Sequence, residues 1–105
     1  MLLREVTQIK DCKNENELIK IAEKIGDQII FKSYEEEQVV ILVNVLLELD
    51  LLAMKYTTRE EILSVLCDAV SNYDVSRKIN WDRISSISDK LEDDLKEYIK
   101  DFLHN

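Results

Sequence analysis

The sequence predicts an all-α protein, a compact bundle of four to five helices in a single domain spanning residues 1–105. Three observations predict it. The chain has one glycine and no proline in 105 residues, so it lacks the residues that tight turns and β-hairpins lean on. Its apolar residues recur at steps of three and four over most of its length. Two segments, Ser33-Tyr34-Glu35-Glu36 and Thr58-Arg59-Glu60-Glu61, carry the Ser/Thr-x-x-Glu pattern that opens helices.

Taken in order, Leu2, Val6, Ile9 and Cys12 outline a short first helix, with a brief strand as the alternative. Asn14 or Asn16 caps the second helix, whose core stripe is Leu18, Ile21, Ala22, Ile25 and Ile29. Gly26 interrupts that stripe at a cost of about 1 kcal/mol relative to Ala, and its missing side chain suggests a neighbouring backbone lying close. This helix is expected to stop near Phe31 and Lys32.

The Ser33 box then opens a long helix reaching to about Tyr56. Glu37, Asn44, Glu48 and Lys55 fall within about 40° of one another on its wheel, and the rest is largely Val, Ile and Leu, as in a central helix packed on several sides. Val39 to Val43 would also suit a strand, but the polar stripe argues for helix. Asp50 points away from that stripe. Because an unpaired buried carboxylate is costly, the helix is expected to bend or end near Leu49 and free Asp50 to cap a second segment.

The Thr58 box launches a helix with Ile62, Leu66, Ala69, Val70 and Tyr73 on one face, and residues 72–78 form the longest loop. Asn80 caps a final helix carrying Ile84, Ile87, Leu91, Leu95, Tyr98 and Phe102 at helical steps, the most regular pattern in the chain.

The net charge of −8 is unevenly spread: residues 1–33 are neutral, residues 34–75 carry −7 and residues 76–105 carry −1. Glu35, Glu36, Glu37, Glu60 and Glu61 have a local reason, since first-turn carboxylates complement the helix dipole. Glu48, Asp50, Asp68 and Asp74 do not. In the last helix Asp89, Asp93, Glu97 and Asp101 follow at steps of four, read as a solvated face diluted by Lys90, Lys96 and Lys100.

Chemistry is hard to place here. One glycine excludes a dinucleotide or P-loop fingerprint. The single histidine, His104, stands next to the last residue, where chains fray. Cys67 reads as core packing, and nothing marks Cys12 as reactive. No catalytic residue, metal site or cofactor is expected. The N-terminal Met1-Leu2-Leu3-Arg4-Glu5 is too polar for a secretory core and the longest apolar run is five residues, Val39 to Val43. A cytoplasmic chain with free thiols is therefore expected.

Acidity disfavours direct contact with nucleic acid or a membrane and favours a basic protein. The expected role is a small inhibitor or adaptor of the immunity-protein type, neutralising a basic partner such as a toxin nuclease. The candidate contact residues are Glu48, Asp50, Asp68, Tyr73, Asp74, Trp81 and Asp82; Trp and Tyr beside charges suit interface anchors. The alternatives are a homodimer formed through the apolar segment Val39–Met54, and a helix-turn-helix regulator. For the regulator, the helix that would read DNA bears Asp82, Asp89, Glu92, Asp93 and Asp94, a charge that suits DNA badly.

Overall fold

The computed structural model describes residues 3–103; Leu2, the side chain of Phe102, and His104 lie outside that description. It contains α1 (Arg4–Asp11), α2 (Glu15–Ile30), α3 (Glu36–Leu47), α4 (Tyr56–Asn72), α5 (Asp82–Ile87) and α6 (Asp93–Leu103). Three 3-10 turns, Leu51–Ala53, Ser76–Lys78 and Ser88–Lys90, complete the helical structure, and no strand occurs among the described residues. The all-α class holds, with six helices instead of four to five. A radius of gyration of 12.7 Å matches the roughly 13 Å of a folded domain this long.

Two helix boundaries are set locally. Asn14 Oδ1 accepts the Glu17 N–H at 2.9 Å and starts α2. The same helix closes in a Schellman motif: Ser33 N–H donates to Gln28 O at 2.9 Å and Lys32 N–H to Ile29 O at 3.0 Å. Lys32 takes the left-handed position (φ 55°) that glycine usually fills. Ser33 is thus occupied in ending α2 and cannot open α3. The box shifts by two residues to Glu35 and Gln38, with Gln38 Oε1 accepting the Glu35 N–H at 2.8 Å. α3 stops at Leu47, well short of Tyr56, and leaves Asp50 exposed in the connection, where its side chain makes no cap bond.

The Thr58 box is also reassigned. α4 begins at Tyr56, and Thr58, 1% exposed, donates from Oγ1 to Glu15 Oε1 at 2.6 Å. That oxygen also accepts the Lys55 N–H at 2.8 Å. A carboxylate from the first turn of α2 therefore caps α4 from a distance. The hydrogen bond from Thr58, then that from Lys55, hold the Glu15 carboxyl below its ordinary pKa.

Contacts further along show α2 and α4 running in the same direction. Gly26 lies against Val65 and Asp68. Past the far end, Tyr73 Oη donates to Tyr34 O at 2.9 Å and accepts the Tyr34 N–H at 3.3 Å. Gly26 is approached by side chains and not by backbone: a Cβ there would meet Val65 Cγ2 at 3.5 Å and Asp68 Oδ2 at 3.6 Å, ordinary contact distances.

α4, not the more apolar α3, is the hub, packing on α2, α6 and α3. Ile25 and Ile29 of α2, Leu42 and Leu46 of α3, and Ile62, Leu63 and Leu66 of α4 are fully buried together with Ile84 and Leu95. The final helix is broken. α5 ends at Ile87, Leu91 turns extended (φ −86°, ψ 158°), and α6 starts at Asp93. Ser86 and Ser88 donate their hydroxyls to the carbonyls of Arg83 and Ser85, a side-chain competition that weakens helix interiors. The break brings Glu92 to Arg59, whose guanidinium also holds Met54 O. Both segments keep their apolar residues inward, so the periodicity survives while the helix does not.

Two stability measurements check this packing. Gly26→Ala removes a helix-interior glycine without a clash and is expected to stabilise the fold by up to about 1 kcal/mol in urea unfolding; a destabilised variant would show that the α2–α4 approach needs the glycine. Thr58→Val keeps shape but deletes the hydroxyl bonded to Glu15, and should cost about 1 kcal/mol in the same assay.

Candidate protein-binding face

The parallel packing of α2, α4 and α6 brings carboxylates onto both flanks of α4. Glu23 and Asp27 approach from α2 and Asp94, Glu97 and Asp101 from α6, while Glu60, Glu61 and Asp68 come from α4 itself. Half-burial raises the Glu61 carboxyl above its ordinary pKa; the charges of Glu23, Asp68, Glu60 and Asp27 push the same way. Burial raises Asp68, with Asp27 adding to it. On the other flank, Glu60, Asp94, Glu97, Tyr98 and Asp101 line a cleft of about 290 Å³. Tyr56 bridges two of these carboxylates, its hydroxyl donating to Asp94 and lying 3.3 Å from Glu60 Oε2. The hydrogen bond to Asp94 is the main reason its phenol is held in the protonated form.

Little positive charge offsets this face. Among the described residues, Lys100 lies 3.3 Å from Glu97 and Lys96 3.5 Å from Asp93, both exposed pairs within α6. Such pairs contribute little. Arg59, partly buried near the start of α4, is taken up by Glu92 and Met54 O. Like charges converging without a counterion oppose folding, and a surface that keeps such a cost is a reasonable place to look for function.

The residues expected from sequence do not form this face together; Asp68 alone belongs to it. Glu48 borders two depressions, one shared with Lys10 and Lys13, the other with Lys78 and Arg83. Asp74 acts on Lys78, which is also 2.5 Å from Glu36. Glu48 therefore sits among cations, whereas Asp74 shares the single cation Lys78 with Glu36 and Glu37. Asp50 is exposed in the turn after α3, and Asp82 is exposed at the start of α5, its N–H bonded to Asn80 Oδ1 at 3.0 Å. Tyr73 forms the latch to Tyr34 at the far end of α4. Trp81 is half-buried against the core, and its indole N–H donates to Ser76 O at 3.0 Å. The expected stripe of Asp89, Asp93, Glu97 and Asp101 is divided by the break before α6, which leaves Asp89 in the preceding 3-10 turn.

Neither thiol is activated. Burial, then Asp101 and Asp68, raise Cys67 to about 12, and its Sγ donates to Tyr98 O at 3.4 Å. Burial and the charges of Glu17 and Asp11 raise Cys12 as well. Both thiols are therefore neutral near pH 7, where the thiolate is the reactive form. No group of three or more His, Cys, Asp or Glu side chains suited to a metal ion occurs among the described residues, and no described helix is long and apolar enough to cross a membrane. The chain matches no protein family, no curated protein and no solved structure.

The raised carboxyls have a measurable consequence. A carboxyl whose folded pKa lies above its unfolded value stabilises the fold below the unfolded value, near 4, and loses that contribution as pH rises through the folded value. Glu61 and Asp68 are thus a liability at neutral pH; Glu15, shifted the other way, supports the fold there and fails on acidification. The double variant Glu61→Gln/Asp68→Asn is expected to be more stable than the parent at about pH 7, with the advantage vanishing below about pH 4. Urea unfolding at stepped pH checks this, and equal stability at neutrality would contradict it.

Proposed function

We propose that this protein is a binding module that engages a basic protein through the acidic face of α2, α4 and α6. The observation that carries the reading is the convergence of Glu60, Asp94, Glu97 and Asp101 with Tyr98 around one cleft that no lysine or arginine lines. A guanidinium or ammonium group from a partner would find several carboxylates there, with an aromatic ring beside them for cation–π contact. Long-range attraction would speed encounter, and like-charge repulsion would turn away acidic proteins and nucleic acid. The specific form we favour is an inhibitor of the immunity type that neutralises a basic enzyme such as a toxin nuclease, acting in the cytoplasm. No catalytic step is assigned to the chain.

The alternatives are less well supported. Most of the apolar surface of the segment considered for self-association is covered within the monomer: Val39, Leu42, Val43, Leu46 and Leu47 are buried, with α1 and α4 packed against α3, and only Ile41 and Leu52 of its large apolar residues stay exposed. A helix-turn-helix regulator needs a reader helix, and α5 has only six residues, with Asp82 in its first turn.

Capture of the partner from the native host, followed by calorimetry of the purified pair, tests the reading. Affinity should fall by about tenfold or more between roughly 50 and 500 mM salt. The double charge reversal Asp94→Lys/Asp101→Lys should weaken binding by about tenfold or more, whereas Glu36→Lys/Glu37→Lys, on α3, should have far less effect. Affinity indifferent to salt and to the α6 reversals would refute the proposal.

A further inference from the structure

We infer that the depression between α1, the start of α2 and the end of α3 is a binding site for a free α-amino acid with a large apolar side chain. It encloses about 450 Å³, within the roughly 300 to 1,000 Å³ of small-molecule sites. Its floor is apolar: Ile9 from α1, Leu18 from α2, Val45 from α3, and Leu49 and Met54 from the connection that follows. Ile9 and Leu18 are buried, and the other three are half-buried against the core. Met54 has an unbranched thioether that adapts to ligands of differing shape. None of these residues belongs to the α6 cleft, so the site stands apart from the basic-protein reading.

The polar groups around this floor fall into two sets. One set is committed within the fold. Cys12 Sγ donates to Gln8 O at 3.1 Å, Asn14 Oδ1 accepts the Glu17 N–H, and Glu15 Oε1 accepts the Thr58 hydroxyl and the Lys55 N–H. The other set is Lys10, Lys13 and Glu48, which are exposed and form no ion pair with any described residue. Asp11 and Glu17, the nearest carboxylates to the lysines in sequence apart from Glu15, line a separate depression with Arg4 and Lys20. Glu48 also borders the depression of Lys78 and Arg83 without pairing with either, and Lys78 is held by Glu36.

Glu48 stands where a carboxylate is disfavoured. It is the C-cap of α3, whose last turn holds no basic residue, so its charge adds to the negative end of the helix dipole. A bound ammonium group supplies the positive charge that this helix end lacks. Lys10 and Lys13, bordering the same floor, take a carboxylate. A ligand with both charges beside an apolar chain uses all three groups. A fatty acid would leave Glu48 unanswered, and an apolar amine would meet two lysines. A polar side chain would lose its water against the floor without gaining a partner.

Nitrogen-15 NMR titration of the full chain tests this with L-leucine, L-methionine and L-phenylalanine. Each is compared with its carboxylate-only and ammonium-only analogues, which for leucine are isocaproate and isoamylamine. At least one amino acid should shift the amides of Ile9, Cys12, Leu18 and Leu49 saturably at millimolar concentration. It should bind about tenfold more tightly than either of its analogues. The variant Glu48→Gln, expected to unfold in urea no earlier than the parent, should weaken the amino acid about tenfold without weakening its carboxylate analogue. The variant Lys10→Gln/Lys13→Gln should weaken both. Absence of saturable shifts with all three amino acids would overturn the inference. So would an analogue that binds as tightly as its amino acid, or undiminished amino-acid binding by Glu48→Gln.

Discussion

One carboxylate sets the geometry of the molecule. Glu15, in the first turn of α2, accepts both the Thr58 hydroxyl and the Lys55 N–H at the start of α4. Two helices that run in the same direction place their positive dipole ends side by side, an unfavourable arrangement unless negative charge lies between them. Glu15 supplies that charge at the near end, and the Tyr34–Tyr73 latch fixes the far end. With both ends pinned, the residues between are in register: Gly26 against Val65 and Asp68, and Glu23 within electrostatic reach of Glu61.

That register is also why the acidic face exists. Solvent-facing positions on α2 and on α4 each hold carboxylates, and parallel alignment of the two helices keeps them abreast along the pair. α6 contributes a third row because the chain breaks after Ile87 and re-enters helix at Asp93, where Arg59 ties down Glu92. The electrostatic cost is tolerated because α4 is buried on its inward side by some of the largest apolar residues in the protein. Stability is thereby concentrated in the centre of α4 and repulsion at its outer edges.

Much of the fold was legible in sequence, for a definite reason. Helical periodicity depends only on which side chains face inward, and Leu18, Ala22, Ile25 and Ile29 on α2 face inward as their spacing implied. Boundaries were less legible wherever a distant group competed with a local signal. Ser33 and Thr58 both fit a capping pattern, but Ser33 is engaged in closing α2 and Thr58 is drawn to Glu15, 43 residues away in the chain. The last helix misled because Ile87, Leu91 and Leu95 stay inward across the interruption, and only the serine-rich segment around Ser86 and Ser88 hinted at the break. The site was the least legible part. Apart from Asp68, the acidic face is built from residues that taken singly read as first-turn or solvated charges, or carry no signal at all. Their significance lies in the neighbours that folding gives them, which no one-dimensional pattern contains. Tyr73 and Trp81 look like surface anchors from composition and instead have hydrogen-bonding partners within the fold.

The direction of α2 relative to α4 bears on how the chain reaches its native state. Residues joined at the two ends of this pair, Glu15 with Lys55 and Tyr34 with Tyr73, are 40 and 39 positions apart. An up-and-down bundle forms its main contacts between successive helices across short turns, whereas here α3 and its trailing turn must be spanned before the principal pair can meet. Loop closure of that length precedes the energetic return. This topology therefore belongs with slower-folding helical proteins despite its small size, and nascent chain emerging from a ribosome would hold α2 without its mate until α4 had been made.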